Sequence, residues 1–219
     1  MFVLIHMACA GGWAWGAVPD LLQAARHRAI APDLDLSAGQ TPQSHARAVA
    51  ALVPDERDIV IVGHSYGGMV VPELAGLLEK RVRGLVVVDG FMPADGDSAF
   101  ALRSPEIAAR RRAQAAERGD GLWPPPRASP GDPDWMSRLV PMPLSAFEEP
   151  VRVTPAVASL PGTFLRCTRS DMGAEAERAR KRGWPVVDVE ATHFLPLTRP
   201  DRCAGLLVAA HLTGDEPGA

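Results

Sequence analysis

The sequence has little of what marks several common classes of protein. Its three cysteines, Cys9, Cys167 and Cys203, show no C-x-x-C spacing, which predicts neither a disulfide framework nor a structural metal site. No apolar run approaches the roughly eighteen residues that cross a bilayer, so we expect no membrane partner. The net charge of -3 and the pI near 6.1 lack the basic excess that a nucleic-acid-binding protein needs.

The first residues also lack the features of a secretory signal. Met1 is followed at once by the apolar run 2–5, with no basic stretch before it and no small-residue cleavage site after it. We therefore expect a cytoplasmic protein. Lysine is scarce as well, because only Lys80 and Lys181 are lysines among the 23 basic residues. We interpret most of the arginines as solvated surface residues.

What is present is the composition of an ordinary globular domain. Of the 219 residues, 47% are hydrophobic and 22% are charged, which is enough for one domain with a sizeable core. The composition does not set an oligomeric state, and a homodimer is one option. Because neither a nucleic acid nor a membrane is expected as a partner, small molecules are the partners that we consider first.

Short aliphatic runs alternate with longer amphipathic stretches along most of the chain. The strand candidates are 2–6, 58–63, 84–89, 163–168 and 185–189, with a weaker one around Ile30, and the helix candidates are 16–27, 42–52, 66–80, 173–182 and 201–211. This alternation predicts an α/β fold with a mostly parallel sheet and helices on both of its faces. We expect residues 213–219 to form a disordered tail.

The middle of the chain breaks this alternation. Residues 91–160 are dense in proline, including the run Pro124-Pro125-Pro126, and hold one polar helix candidate near 104–118. Proline at that density interrupts both helices and strands. We predict a core made of residues 1–90 and 161–219, with 91–160 inserted as a lid over one end of the sheet.

A G-x-S-x-G pattern, Gly63-His64-Ser65-Tyr66-Gly67, lies between a strand candidate and a helix candidate. In that context the pattern predicts a nucleophile elbow, because a tight strand-to-helix turn needs glycines on both sides of the serine. We expect Ser65 to be the nucleophile, with the backbone N–H of Tyr66 stabilising an oxyanion at the helix N-terminus. The alternative is a glycine-rich turn with an incidental serine.

A serine nucleophile needs a base, and the chain offers six histidines. His193 follows the last strand candidate and precedes the final helix, at the sheet edge where Ser65 is also expected. We predict that His193 is this base. The histidines at other helices or next to the serine, His27, His45, His64 and His211, are interpreted as surface or packing residues.

The third member of a catalytic triad is a carboxylate that orients the histidine. Asp171 follows the strand candidate 163–168 and completes the chain order Ser…Asp…His, so we predict Asp171 in this role. Asp89 and Asp95, just after the strand that ends at Val88, are the rivals. We interpret Asp89 as a structural residue that accepts backbone N–H bonds at the strand end.

Four segments together resemble the α/β-hydrolase fold superfamily. They are residues 2–6 with Gly11-Gly12-Trp13-Ala14-Trp15, the elbow 63–68, Val88-Asp89-Gly90-Phe91-Met92-Pro93, and Thr192-His193-Phe194. The Gly-Gly-Trp-x-Trp stretch is similar to the small-lid branch of plant methyl esterases, hydroxynitrile lyases and bacterial esterase-like proteins. The resemblance implies an enzyme without cofactor or metal, and it implies the Ala8 N–H as a second oxyanion donor beside Tyr66.

The chain departs from this branch at positions near the expected substrate. Met7 stands where the family usually has glycine, and Ala10 where a polar residue is common. We expect Met7, Met92 and Trp123 to line the substrate pocket, although each could equally pack between lid and body. Phe194 replaces the lysine of the lyases, so we expect no hydroxynitrile lyase activity, since an apolar ring cannot stabilise departing cyanide.

The leading hypothesis is a serine esterase that cleaves a small hydrophobic carboxylic ester or thioester through an acyl-enzyme. An intramolecular cyclase, a lactone-forming thioesterase or a carbon–carbon lyase could use the same triad if the lid excludes water. A non-catalytic ligand-binding protein on the same fold is the third option.

Overall fold

The computed structural model describes residues 1–129 and 131–212. Its strands are β1 (Phe2–Ile5), β2 (Ala29–Ile30), β3 (Ile59–His64), β4 (Val82–Val88), β5 (Leu122–Trp123), β6 (Met142–Pro143), β7 (Gly162–Arg169) and β8 (Val186–Thr192). Six of them form one sheet in the order β2-β1-β3-β4-β7-β8, and every neighbouring pair is parallel. The predicted parallel sheet is confirmed, while the tail at 213–219 lies outside the described residues.

The helices follow the strands closely. They are α1 (Val18–Ala24), α2 (Pro42–Leu52), α3 (Gly67–Leu78), α4 (Pro105–Arg118), α5 (Ser145–Glu148), α6 (Pro155–Ala158), α7 (Gly173–Lys181), α8 (Leu195–Thr198) and α9 (Pro200–Leu212), with short 3-10 segments at Gly12–Trp15, Glu79–Arg81 and Asp134–Arg138. None of the described helices has the length and apolar character needed to span a membrane.

The sheet is covered on both faces, as its apolar strands require. The four side chains of β1 are fully buried, and they alternate between two cores. Val3 and Ile5 pack in the core beneath α2 and α3, whereas Phe2 and Leu4 pack in the core beneath α1 and α9. Burial on both faces explains why this strand shows no alternation of polar and apolar residues.

The described residues between 91 and 160 add no strand to this sheet, and this segment is called the insertion below. They contain α4, α5, α6 and the antiparallel pair β5–β6, in which Trp123 pairs with Met142. Phe147 stacks on Tyr66, with ring centroids 5.3 Å apart and an interplanar angle of 16°. The insertion therefore rests on the residue that directly follows Ser65.

Candidate active site

Ser65 occupies a strained turn between β3 and α3. Its φ is +55°, a region that residues other than glycine rarely adopt. The turn is held by hydrogen bonds on both sides of the serine. Its N–H donates to the Val88 carbonyl at 3.2 Å, and its carbonyl accepts from the N–H groups of Gly68 and Phe91, both at 3.1 Å. Strain that is over-determined by its surroundings is typical of a functional residue.

The glycines around Ser65 are required by close backbone contacts. A Cβ at Gly63 would lie 2.6 Å from the carbonyl carbon of Gly67, and one at Gly67 would lie 2.4 Å from the Ile5 carbonyl oxygen. Gly90, on the neighbouring strand end, is equally constrained, because its Cβ would lie 2.7 Å from the Ser65 nitrogen. Sequence reasoning included Gly90 in the segment 88–93 but gave it no steric role, since its crowding comes from another segment of the chain.

The structure brings Ser65 and His193 together and adds a buried carboxylate. His193 Nε2 lies 2.9 Å from Ser65 Oγ, and His193 Nδ1 lies 2.7 Å from Asp89 Oδ2. Ser65 is 8% exposed, Asp89 is fully buried, and the His193 side chain is 26% exposed. A carboxylate only accepts hydrogen bonds, so the proton of neutral His193 lies on Nδ1, which leaves Nε2 free to accept the serine proton.

The predicted position of Asp171 beside His193 is wrong. Asp171 is exposed, and in the described part of the chain it makes no hydrogen bond or ion pair. The preceding residue, Ser170, turns inward instead and donates through Oγ to Asp89 Oδ1 at 2.8 Å. Successive residues at an extended strand end point in opposite directions, which sends Asp171 to solvent.

Asp89 combines the two roles that sequence reasoning kept separate. Its Oδ1 accepts the Cys167 N–H at 2.9 Å as well as the Ser170 hydroxyl, while Oδ2 accepts from His193. It therefore fixes the ends of β4 and β7 and also orients the histidine. The other rival, Asp95, accepts the N–H of Val153 at 2.8 Å, a hydrogen bond between two parts of the insertion.

The peptide group that joins Ser65 and Tyr66 carries the N–H that the sequence predicts as an oxyanion donor. The Tyr66 N–H makes no hydrogen bond within the described chain. The carbonyl of the same peptide is fixed by Gly68 and Phe91. Because the N–H and C=O of a trans peptide point in opposite directions, these bonds also fix the direction of the Tyr66 N–H.

The peptide group that joins Met7 and Ala8 is held in the same way by His6. His6 Nε2 accepts the Leu34 N–H at 3.0 Å, so its proton lies on Nδ1, which donates to the Met7 carbonyl at 2.7 Å. Burial lowers the pKa of His6 to about 4, which keeps the ring neutral. The Ala8 N–H, opposite that carbonyl, has no partner among the described residues and is free to donate.

Two further buried histidines support the same loops. His64 Nε2 lies 2.7 Å from the His193 carbonyl, and burial lowers its pKa to about 3. His45 Nε2 lies 2.7 Å from the Asp35 carbonyl, and its Nδ1 lies 2.9 Å from the Tyr66 hydroxyl. Burial lowers the pKa of His45 and raises that of Tyr66, so both groups are neutral. The imidazole therefore accepts a hydrogen bond from the Tyr66 hydroxyl. Sequence reasoning missed the contact of His45 with Tyr66.

The three predicted pocket residues do not meet in one cluster. Met7 packs with Ala10 and Ala14, beneath the partly buried rings of Trp13, Trp135 and Phe194. Met92 and Trp123 belong to the larger core beneath α3 and the insertion. The ring centroids of Trp135 and Phe194 are 4.6 Å apart. Trp135, which sequence reasoning did not select, thus reaches the residue after His193.

Among the described residues, no group of three or more His, Cys, Asp or Glu side chains could hold a metal ion.

Comparison with known proteins then decides the family. The model of the alpha/beta hydrolase family matches residues 2–206. The chain belongs to the α/β-hydrolase family. This hydrolase is 30% identical, over 238 aligned positions, to a carbendazim hydrolyzing esterase of Nocardioides sp. (strain SG-4G), covering 95% of this chain and 98% of that protein.

Other relatives place the hydrolase in an esterase branch. It is 35% identical over 107 residues to Methylesterase 1 of Arabidopsis thaliana, which covers 42% of this chain and 40% of that protein. Among solved structures, an extracellular alpha/beta-hydrolase from a Paenibacillus species superposes with a TM-score of 0.86 at 22% identity, over 95% of this chain and 98% of that one. The named esterases and the shared fold together make this chain an ester-hydrolysing enzyme.

Proposed function

We propose that this hydrolase cleaves a small hydrophobic carboxylic ester or thioester through an acyl-enzyme on Ser65. The observation that carries the proposal is the unbroken line of hydrogen bonds from Ser65 Oγ through His193 to the buried carboxylate of Asp89. A nucleophile, a base and a group that orients the base are the three parts that acyl transfer needs.

In the first half of the reaction, Ser65 Oγ attacks the carbonyl carbon while its proton passes to His193 Nε2. The carbonyl π electrons move to the oxygen, and the N–H groups of Tyr66 and Ala8 stabilise that oxyanion. Asp89 stabilises the imidazolium through Nδ1. The oxyanion then collapses, the bond to the leaving group breaks, and His193 gives its proton to the departing alcohol or thiol.

In the second half, water replaces the leaving group. His193 Nε2 takes a proton from water as its oxygen attacks the acyl carbon, and the same two N–H groups stabilise the second oxyanion. Collapse breaks the bond to Ser65 Oγ, which recovers its proton from His193. The products are the carboxylic acid and the free enzyme.

Two features support a small, hydrophobic substrate. Met7, beside the proposed Ala8 donor, brings an apolar side chain to a place where the family usually has glycine, and aromatic rings surround it. The insertion rests on Tyr66 through Phe147 and would act as a lid over this end of the sheet. Several relatives are named methylesterases, which favours methyl esters as the first substrates to test.

The proposal is tested by labelling and turnover together. A fluorophosphonate should label the wild-type protein on the peptide that contains Ser65, as read by mass spectrometry. Ser65→Ala should lose labelling and lower kcat for p-nitrophenyl acetate by about 10⁴-fold or more. The matched control is Ser159→Ala, because Ser159 is exposed at the end of α6. Turnover by Ser65→Ala within tenfold of the wild type would contradict the assignment.

A further inference from the structure

Arg111 of the insertion has no acidic partner among the described residues. Arg111 lies on α4, half-buried, with its guanidinium carbon 4.2 Å from the centre of the Trp123 ring. Its Nη1 donates to Gln114 Oε1 at 3.0 Å and to the Pro124 carbonyl at 3.5 Å. No acidic side chain pairs with it in the described chain, and burial lowers its pKa. An arginine nevertheless stays charged at neutral pH.

The tryptophan beneath this arginine also has an unused donor. Trp123 is 5% exposed, and its Nε1–H is buried with no hydrogen-bond partner among the described residues. Buried polar groups in native proteins are almost always hydrogen bonded, so an unpaired one calls for an explanation. A guanidinium over the ring and an unpaired N–H at the ring edge are both donors from which an anionic oxygen group can accept.

A second arginine–tryptophan stack in the same protein has its donors paired with backbone carbonyls. Arg182 lies 4.7 Å over the Trp184 ring, and it donates to the backbone carbonyls of Ala158 and Val157. The Trp184 Nε1–H donates to the Leu160 carbonyl at 3.3 Å. The indole N–H of that stack is paired within the protein, whereas the indole N–H of Trp123 has no partner among the described residues.

Two lines of contact lead from this stack to the proposed oxyanion donors. Trp123 packs in the same buried core as Cys9, the residue that follows Ala8. The Trp123 ring lies 5.3 Å from that of Phe147, which in turn stacks on Tyr66. Trp123 therefore shares a core with Tyr66, whose N–H is one proposed donor, and with Cys9, the chain neighbour of the other.

We infer that Arg111 and Trp123 form a subsite for a carboxylate carried by the acyl part of the ester substrate. The inference rests on the proposed acyl-enzyme on Ser65 and narrows the substrate class to half-esters of aliphatic dicarboxylic acids, in which a hydrophobic spacer carries a terminal carboxylate. An aliphatic spacer would cross the apolar rings between the stack and Ser65, while the carboxylate accepts from the guanidinium and the indole N–H. The scissile ester then lies at Ser65.

Turnover of matched esters tests this subsite. We expect wild-type kcat/KM to be at least tenfold higher for one of the monomethyl esters of succinic, glutaric and adipic acid than for the corresponding dimethyl ester. Arg111→Gln should lower that ratio at least tenfold, and Trp123→Phe, which keeps the ring but removes the N–H, at least threefold. Arg110→Gln is the matched control, because Arg110 is exposed on the same helix.

Binding to Ser65→Ala gives a readout that does not depend on turnover. By calorimetry, the double variant Ser65→Ala/Arg111→Gln should bind the preferred monomethyl ester with a Kd at least tenfold higher than that of Ser65→Ala alone. The double variant Ser65→Ala/Arg110→Gln should have a Kd within twofold of Ser65→Ala. Equal ratios for Arg111→Gln and Arg110→Gln, or a wild type without preference for half-esters, would overturn the subsite. If fluorophosphonate still labels Ser65 in that case, the proposed function survives; if it does not, the proposed function fails as well.

Discussion

The loops at the carboxyl edge of the sheet and the insertion are both irregular, but different forces hold them. The loops are fixed by directional bonds and close backbone contacts, as at Ser65, Gly67 and Asp89. The insertion is organised by rings around Phe147, whose neighbours include Tyr66 and Trp123. Directional bonds fix atoms to a fraction of an ångström, which proton transfer needs, whereas ring packing tolerates substitution.

This contrast predicts that the largest losses of kcat come from exchanging single hydrogen-bonding atoms in the loops. Asp89→Asn should lower kcat for p-nitrophenyl acetate by about 10²–10⁴-fold at neutral pH, because the amide leaves His193 in the wrong tautomer and does not stabilise its charge. Asp171→Asn is the matched control, since the Asp171 side chain is exposed and does not bond to His193, and it should stay within twofold of wild type. The opposite pattern would restore Asp171 as the acid.

Between pH 6.5 and 4, buried histidines should make the loops sensitive to acid, whereas residues 91–160 contain no histidine. Burial lowers the pKa of His6 to about 4 and that of His64 to about 3. Below about pH 6.5 the unfolded chain therefore binds more protons than the folded one, and the stability that these groups contribute is lost as the pH falls toward those values.

Chemical denaturation at several pH values measures this effect. The free energy of unfolding should fall between pH 6.5 and 4, with a slope approaching about 1.4 kcal/mol per pH unit for each histidine. His6→Asn should make the slope shallower. A free energy that is flat across this range would mean that the two rings are not held neutral.

The hydrogen bond from His6 to the Met7 carbonyl, which orients the Ala8 N–H, should have a moderate effect on kcat. His6→Leu removes the donor to the Met7 carbonyl, and we expect kcat to fall about tenfold, less than the loss of an entire oxyanion donor. His6→Asn can place its amide nitrogen near the position of Nδ1 and should recover part of that loss. Equal kcat for the two variants, at matched thermal stability, would indicate that His6 serves packing alone.

The smallest effect is expected in the insertion. Phe147→Leu keeps an apolar side chain at the centre of the rings, so the free energy of unfolding should fall by only about 1–2 kcal/mol. KM should rise more than kcat falls, because the proton-transfer residues do not contact Phe147 directly. A hundredfold loss of kcat would show that the insertion is part of the catalytic geometry rather than a tolerant cover.

Local patterns were enough to predict most of the fold. The strand–helix alternation predicted the parallel sheet, and the helix candidate 42–52 has the bounds of α2, which begins with Thr41 accepting from the Ser44 N–H at 3.2 Å. The glycine spacing around Ser65 predicted the turn whose crowding the structure explains. The placement of His193 after the last strand likewise brought it to Ser65. The catalytic roles of both residues stay predictions.

What the sequence by itself determined is therefore the order of elements, the turn at Ser65 and the edge at which His193 lies, because backbone periodicity and steric demands are encoded by neighbouring residues. Only the tertiary structure decided that Asp89 rather than Asp171 reaches His193, and that Trp123 lies beneath Arg111. Such contacts join segments far apart in the chain, and a shift of one residue at a strand end exchanges a buried side chain for an exposed one.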